Sequence, residues 1–149
     1  MGLEGIYILE CDNSKLVLTI DGQPGVGAAV SCIPVGAGAP TPVDLRPHPD
    51  GGYQIIPTNV PHMPGGLLIA APAQQPYDVV LFPMGAPGEV VMRWSIDPDG
   101  DLHVIHPAPG EPLQGKYWTT DVQEDPMRVR LEELKDKPTQ KWKLIPANN

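Results

Sequence analysis

The chain has 149 residues, including 20 prolines and 16 glycines, with 41% hydrophobic residues and a formal net charge of −8. The negative balance opposes a phosphate backbone and excludes nucleic acid as a partner, while the proline load excludes long helices and a broad central sheet. The apolar residues gather into strand-length runs between the breakers, which argues for a core needing neither disulfide nor metal, and against low-complexity disorder.

Gly5-Ile6-Tyr7-Ile8-Leu9 reads as a first strand, Leu16-Val17-Leu18 as a second and Ala29 to Ile33 as a third. Leu45-Arg46-Pro47 then leads into the turn Pro49-Asp50-Gly51 and the strand Tyr53-Gln54-Ile55-Ile56. The same order recurs about 49 residues on: Leu67-Leu68-Ile69, Val79 to Phe82, Trp94-Ser95-Ile96, the turn Pro98-Asp99-Gly100 and the strand Leu102 to Ile105. A third pass gives Lys116-Tyr117-Trp118, Met127 to Leu131 and Trp142 to Pro146. A fixed period decides architecture before any single element does. Short strands at even spacing, with Gly/Pro signals between them, predict an all-β chain with negligible helix. The expectation is twelve strands in one domain of three pseudo-repeats, residues 1–49, 50–98 and 99–149, with Leu45, Trp94 and Trp142 in related positions.

Motifs for chemistry are missing. His48, His62, His103 and His106 have no metal-ligand spacing. The glycine-rich stretch Gly22 to Gly27 lacks Gly-Lys-Ser/Thr and precedes a strand, unlike a phosphate loop. Asp97, Asp99 and Asp101 lack the distal glutamate of a calcium loop, where Ala108 stands. No Gly-x-Ser-x-Gly nucleophile motif occurs. The chain is expected to be neither an enzyme nor a carrier of any cofactor or metal. Cys11 and Cys32, the only cysteines, read as buried thiols, although their strand positions bring a bridge within reach. Met1 to Gly5 carry no signal-peptide pattern and no run has the length of a membrane span. A cytoplasmic protein with no membrane partner is expected.

Three four-stranded units with a tryptophan near the unit's end and a final Trp-x-Leu-Ile-Pro strand resemble a β-trefoil, in which six strands close a short barrel and six form capping hairpins. Gly5-Ile6-Tyr7-Ile8-Leu9, Trp94 to Gly100 and Gln140 to Pro146 together are similar to the mushroom β-trefoil protease inhibitors of the cospin, cnispin and mycocypin types. That resemblance implies a monomeric fungal defence protein whose partner is a target protease, most readily a serine protease, met by a substrate-like loop on a rigid scaffold. Within it, Lys135-Asp136-Lys137 is the candidate reactive loop for a trypsin-like enzyme, with Lys135 as anchor because Pro138 hinders Lys137. Asn59 or Met63 would instead serve an asparagine-specific or chymotrypsin-like protease, and Gly36 to Pro40 with Gly25 and Gly27 could wedge over a papain-like cleft.

The alternative is a ricin-B-like lectin with a glycan as partner. Such proteins carry Gln-x-Trp in each repeat, found once here as Gln140-Lys141-Trp142, with Met92-Arg93-Trp94 and Val43-Asp44-Leu45 in the other places. In this reading Trp118 is the usable sugar-stacking ring, and Trp94 and Trp142 belong to the core.

Overall fold

The computed structural model describes residues 3–20, 26–58, 66–83, 88–124 and 127–147. Thirteen strands occur among them: β1 (Gly5–Cys11), β2 (Leu16–Ile20), β3 (Val30–Pro34), β4 (Val43–Pro47), β5 (Tyr53–Pro57), β6 (Leu67–Pro72), β7 (Val80–Pro83), β8 (Val90–Val91), β9 (Trp94–Asp99), β10 (Leu102–Pro107), β11 (Lys116–Thr120), β12 (Met127–Glu133) and β13 (Trp142–Pro146). The twelve expected strand positions are all filled, the eighth in two pieces, β8 on β6 and β9 on β10. The one helical element among the described residues is a single 3-10 turn, Pro138–Gln140.

Six strands close a ring. β1 pairs with β4, β4 with β5, β5 with β9, β9 with β10, β10 with β13, and β13 returns to β1. Closure leaves these strands no free edge, which is how such short strands become stable. Six of the other seven strands form three hairpins, β2–β3, β6–β7 and β11–β12, lying over one end of the ring, and β8 pairs with β6. The architecture is a β-trefoil.

Strand pairing fixes which residues are equivalent, and it corrects the sequence alignment. Trp94 lies opposite Pro107 and Val43 opposite Pro57, while Trp142 lies opposite Cys11. The partner of Trp94 and Trp142 in the first repeat is therefore Val43, and Leu45 corresponds to Ile96 and Leu144. The two Pro-Asp-Gly segments are also out of step. Pro98 faces His103 as Pro47, not Pro49, faces Tyr53. The first segment is the turn itself, whereas Pro98 and Asp99 still belong to β9 and only Gly100, at φ +66°, has entered the turn. Gly52, just after the first turn, admits no side chain: a Cβ there would stand 2.8 Å from the Trp94 carbonyl oxygen and from the Ala108 methyl.

The core fills the ring and the underside of the cap. Trp94, Trp118 and Trp142 are all fully buried, and Trp118 stands edge-on between the others, with ring centroids 5.3 and 5.7 Å away. Edge-to-face packing of this kind suits the aromatic quadrupole. The indole N–H of Trp94 donates to the Ile69 carbonyl at 2.9 Å and that of Trp142 to the Trp118 carbonyl at 3.3 Å. In the first repeat, where Val43 has no indole, the corresponding Leu18 carbonyl accepts the backbone N–H of Thr41 at 3.0 Å. Trp118 is thus a core residue, and the expectation that it offers a sugar-stacking face is overturned.

Candidate functional site

The cap is built around three valines. Val30 donates its backbone N–H to Val79 at 3.0 Å and Val79 donates to Val129 at 2.9 Å, while the β3–β12 register closes the third side. The hairpins meet through short antiparallel pairings: Ala29 with Val80, Asp78 with Arg130, and Arg128 with Ser31 next to Met127 with Cys32. Only the second joint is a charged pair. Arg130 donates to Asp78 at 2.6 Å and to Asp121 at 3.0 Å, and also meets Glu124. The hydrogen bond that Arg130 donates to Asp78 is the main cause that holds the guanidinium above its ordinary range, so it stays charged throughout the accessible pH range.

This anchoring sets the β6–β7 turn against β11 and β12. The Tyr77 N–H donates to the Gln74 carbonyl at 2.8 Å, and the Tyr77 carbonyl accepts from the Leu131 N–H at 3.0 Å. A cleft of about 390 Å³ opens beside the turn, lined by Gln75, Tyr77, Lys116, Glu132, Glu133 and Lys135 among others. The Lys116 ammonium sits 5.4 Å from the centre of the Tyr77 ring, within reach of a cation–π interaction.

The pseudo-threefold arrangement supplies an internal comparison. Where the cleft has Tyr77, Lys116, Glu132 and Glu133, the joint between the first two hairpins has Ala28, Leu67, Phe82 and Pro83. The joint between the third and first has Met127, Leu16, Ile33 and Pro34. At these four positions two joints are apolar, although Asp78, Gln74 and Gln75 border the first and Arg128 the third, and one carries a phenol, an ammonium and two carboxylates. Burial alone would fill all three alike, since each rests on the same scaffold. The charges lining the cleft, unlike Asp78 and Arg130 at the same joint, form no ion pair among the described residues. Arg46, Arg93, Arg128, Arg130 and Lys141 each have an ion-pair partner. Among the described residues, Lys116, Lys135, Lys137, Glu132 and Glu133 pair with none.

The segment from Glu133 to Lys137 forms a strap along one side of the cleft. Gln140, fully buried at the end of the 3-10 turn, holds it from beneath. Its side-chain carbonyl accepts the Lys135 N–H at 2.8 Å, and its amide donates to the Glu133 carbonyl at 2.8 Å and to the Thr119 hydroxyl at 3.0 Å. Lys141 pins the strap from the other end by pairing with Asp136 at 2.9 Å and with Asp99. The single Gln-x-Trp motif is therefore internal architecture: Gln140 ties the strap and Trp142 packs the core.

Lys135, Asp136 and Lys137 are exposed on this strap, outside the strands. Asn59, Met63 and Gly25 lie outside the described residues. Gly36 to Ala39 are exposed on a separate connection after β3. The cysteines are free and buried, with sulfurs 4.0 Å apart and 3.1 and 3.3 Å from the Thr120 hydroxyl. The hydrogen bond with Cys32, and burial next, push the Cys11 thiol far above its usual range. No grouping of His, Cys, Asp or Glu suited to a metal occurs among the described residues. No helix among the described residues is long and apolar enough to cross a membrane. Sequence reading found the strap but not the cleft, because Gln75 and Tyr77 join Lys116 and Glu132 only once the second and third hairpins pack.

No family model matches the chain, and no curated protein matches it in sequence. Solved structures do resemble it. The designed threefold-symmetric protein ThreeFoil superposes with a TM-score of 0.76 at 16% identity, covering 97% of this chain and 100% of that one. The Rhizoctonia solani agglutinin gives 0.70 at 18% identity, with 99% of each chain covered. The Macrolepiota procera ricin B-like lectin, solved with lactose, gives 0.68 at 12% identity, again with 99% of each chain covered. At these identities the likeness establishes the β-trefoil fold alone.

Proposed function

We propose that this protein is a non-catalytic, monomeric carbohydrate-binding β-trefoil that takes its glycan in the Tyr77 cleft. The observation carrying this reading is that one of three equivalent hairpin joints has exchanged apolar packing for Tyr77, Lys116, Glu132 and Glu133. A half-buried ring, packed on the core with the Lys116 ammonium over it and bordered by carboxylates and an amide, provides the mixed apolar and hydrogen-bonding edge that a sugar's C–H surface and hydroxyls match. The fold's resemblance to an agglutinin and to a lectin solved with lactose supports the same reading. A glycan array followed by calorimetric titration of lactose and the strongest array ligands tests it. Binding by the wild-type chain that is lost in Tyr77→Ala is expected.

Protease inhibition, placed first by the sequence resemblance, becomes the second reading. It is favoured by the way Gln140 and Lys141 fix the exposed strap, since pre-organisation lowers the entropy lost on docking. The backbone weighs against it. A substrate-like segment must be extended with its N–H groups available, whereas Lys135 gives its N–H to Gln140 and Asp136 stands at φ +55°. Residual activity of trypsin, chymotrypsin, papain and legumain with added protein separates the two readings, and inhibition without glycan binding would reverse their order.

A further inference from the structure

A second cleft, of about 270 Å³, lies on the other side of the strap, lined by Asp121, Val122, Gln123, Lys137 and Thr139 among others. It is not an isolated hollow. Glu132 lines both clefts, and Lys135 and Lys137, two residues apart on one strap, line the first and the second respectively. The ridge between them is held rigid by Gln140 and by the Lys141–Asp136 pair.

The size of the clefts bears on what they hold. Small-molecule sites run from about 300 to 1,000 Å³. One cleft lies near the bottom of that range and the other below it, whereas the two taken as one fall well inside it. The chemistry on the two sides also differs. The first has the Tyr77 ring, while the second has no aromatic ring and is mostly apolar, with Val122 and Pro138 beside the Gln123 amide, the Lys137 ammonium and the Thr139 hydroxyl. An aromatic position followed by an aliphatic one rimmed by hydrogen-bonding groups suits successive units of one chain. Lys116, Lys135 and Lys137 line the two clefts together with Asp121, Glu132 and Glu133, so the lining is balanced in charge, and with −8 on the protein as a whole the surface gives a polyanion little to hold.

We infer that the ligand is a neutral oligosaccharide chain that lies across the strap, with one unit against Tyr77 in the first cleft and a following unit in the second cleft against Gln123 and Lys137. This rests on the glycan reading above and adds the length and charge of the ligand. Binding of galactose, lactose and the neutral tetrasaccharide lacto-N-neotetraose, with sialylated lactose as the acidic arm, is measured by calorimetry on the full chain. The tetrasaccharide is expected to bind about tenfold or more tightly than lactose. In the double variant Gln123→Ala, Lys137→Ala the ratio of the two affinities is expected to fall to near unity. Tyr77→Ala is expected to lose both ligands, and Lys143→Ala, exposed on β13 away from the clefts, to keep wild-type values. Thermal melts establish that each variant is folded. Equal affinity for lactose and the tetrasaccharide, an unchanged ratio in the double variant, or a preference for the sialylated sugar overturns the extended neutral chain while leaving glycan binding intact. Absence of binding to every sugar overturns the glycan reading and this inference with it.

Discussion

Gln140 accepts the backbone N–H of Lys135 on its side-chain carbonyl at 2.8 Å, so a buried amide sets the shape of an exposed strap. Gln140→Ala leaves the Glu133 carbonyl and the Thr119 hydroxyl without this partner, which costs about 1–3 kcal/mol for buried groups. Denaturant unfolding is expected to show that loss. Hydrogen exchange at the Lys135 amide is expected to accelerate beyond what the global destabilisation explains; unchanged exchange there would mean that the strap holds itself.

The three tryptophans differ in a way that substitution can read. Trp94 gives its N–H to the Ile69 carbonyl, whereas the buried Trp118 N–H has no partner among the described residues. Both positions lose ring volume in a Trp→Phe change, but only Trp94→Phe also leaves a carbonyl without its donor. Trp94→Phe is therefore expected to be the more destabilising by about 0.5–1.5 kcal/mol, measured by chemical denaturation. A larger loss in Trp118→Phe would contradict the assignment.

His103 gives the fold a pH dependence. Burial lowers its folded-state pKa below the ordinary 6.5, opposed by the nearby Asp97, and its Nδ1 has no partner among the described residues. As pH falls below about 6.5 the unfolded chain takes up the proton first, so this contribution to stability declines until the folded-state imidazole also titrates. Urea unfolding of the wild type and His103→Gln across that window is expected to show the slope flattened in the variant. Parallel curves would contradict the assignment.

The buried thiols give a probe of opening. Cys11 is held protonated by Cys32 and by burial, and thiolate is the reactive form. Alkylation of the native protein at pH 8 is expected to be slow and to follow global unfolding as denaturant is added. Fast labelling of either cysteine in the native state would mean that the cap opens locally over β1 and β3.

Much of the fold could be read from the sequence because a closed trefoil needs the same strand at each turn of the chain. Val30, Val79 and Val129 recur at nearly constant spacing and form the valine triangle of the cap. The register within the period was less legible. The Pro-Asp-Gly segments match at one offset, yet Pro98 pairs where Pro47 does, which moves the equivalent of Trp94 from Leu45 to Val43. The fate of Trp118 was hidden for another reason: its strand looks half-exposed in sequence, and only the packing of Trp94 and Trp142 on either side buries it. Of the candidate site, the strap was visible as charged residues between strands. Gln75 and Tyr77 were not, since a proline-flanked turn resembles any surface connection until it meets β12.

The most direct test of the account is a titration of isotope-labelled protein with lactose and with the strongest glycan-array ligand, followed by amide chemical shifts. Binding in the Tyr77 cleft predicts perturbations concentrated at Gln75, Tyr77, Lys116, Glu132, Glu133 and Lys135, absent from the Ala28 and Met127 joints, and abolished in Tyr77→Ala. Perturbations at either apolar joint, or inhibition of trypsin through Lys135 with no shift under any sugar, would contradict it.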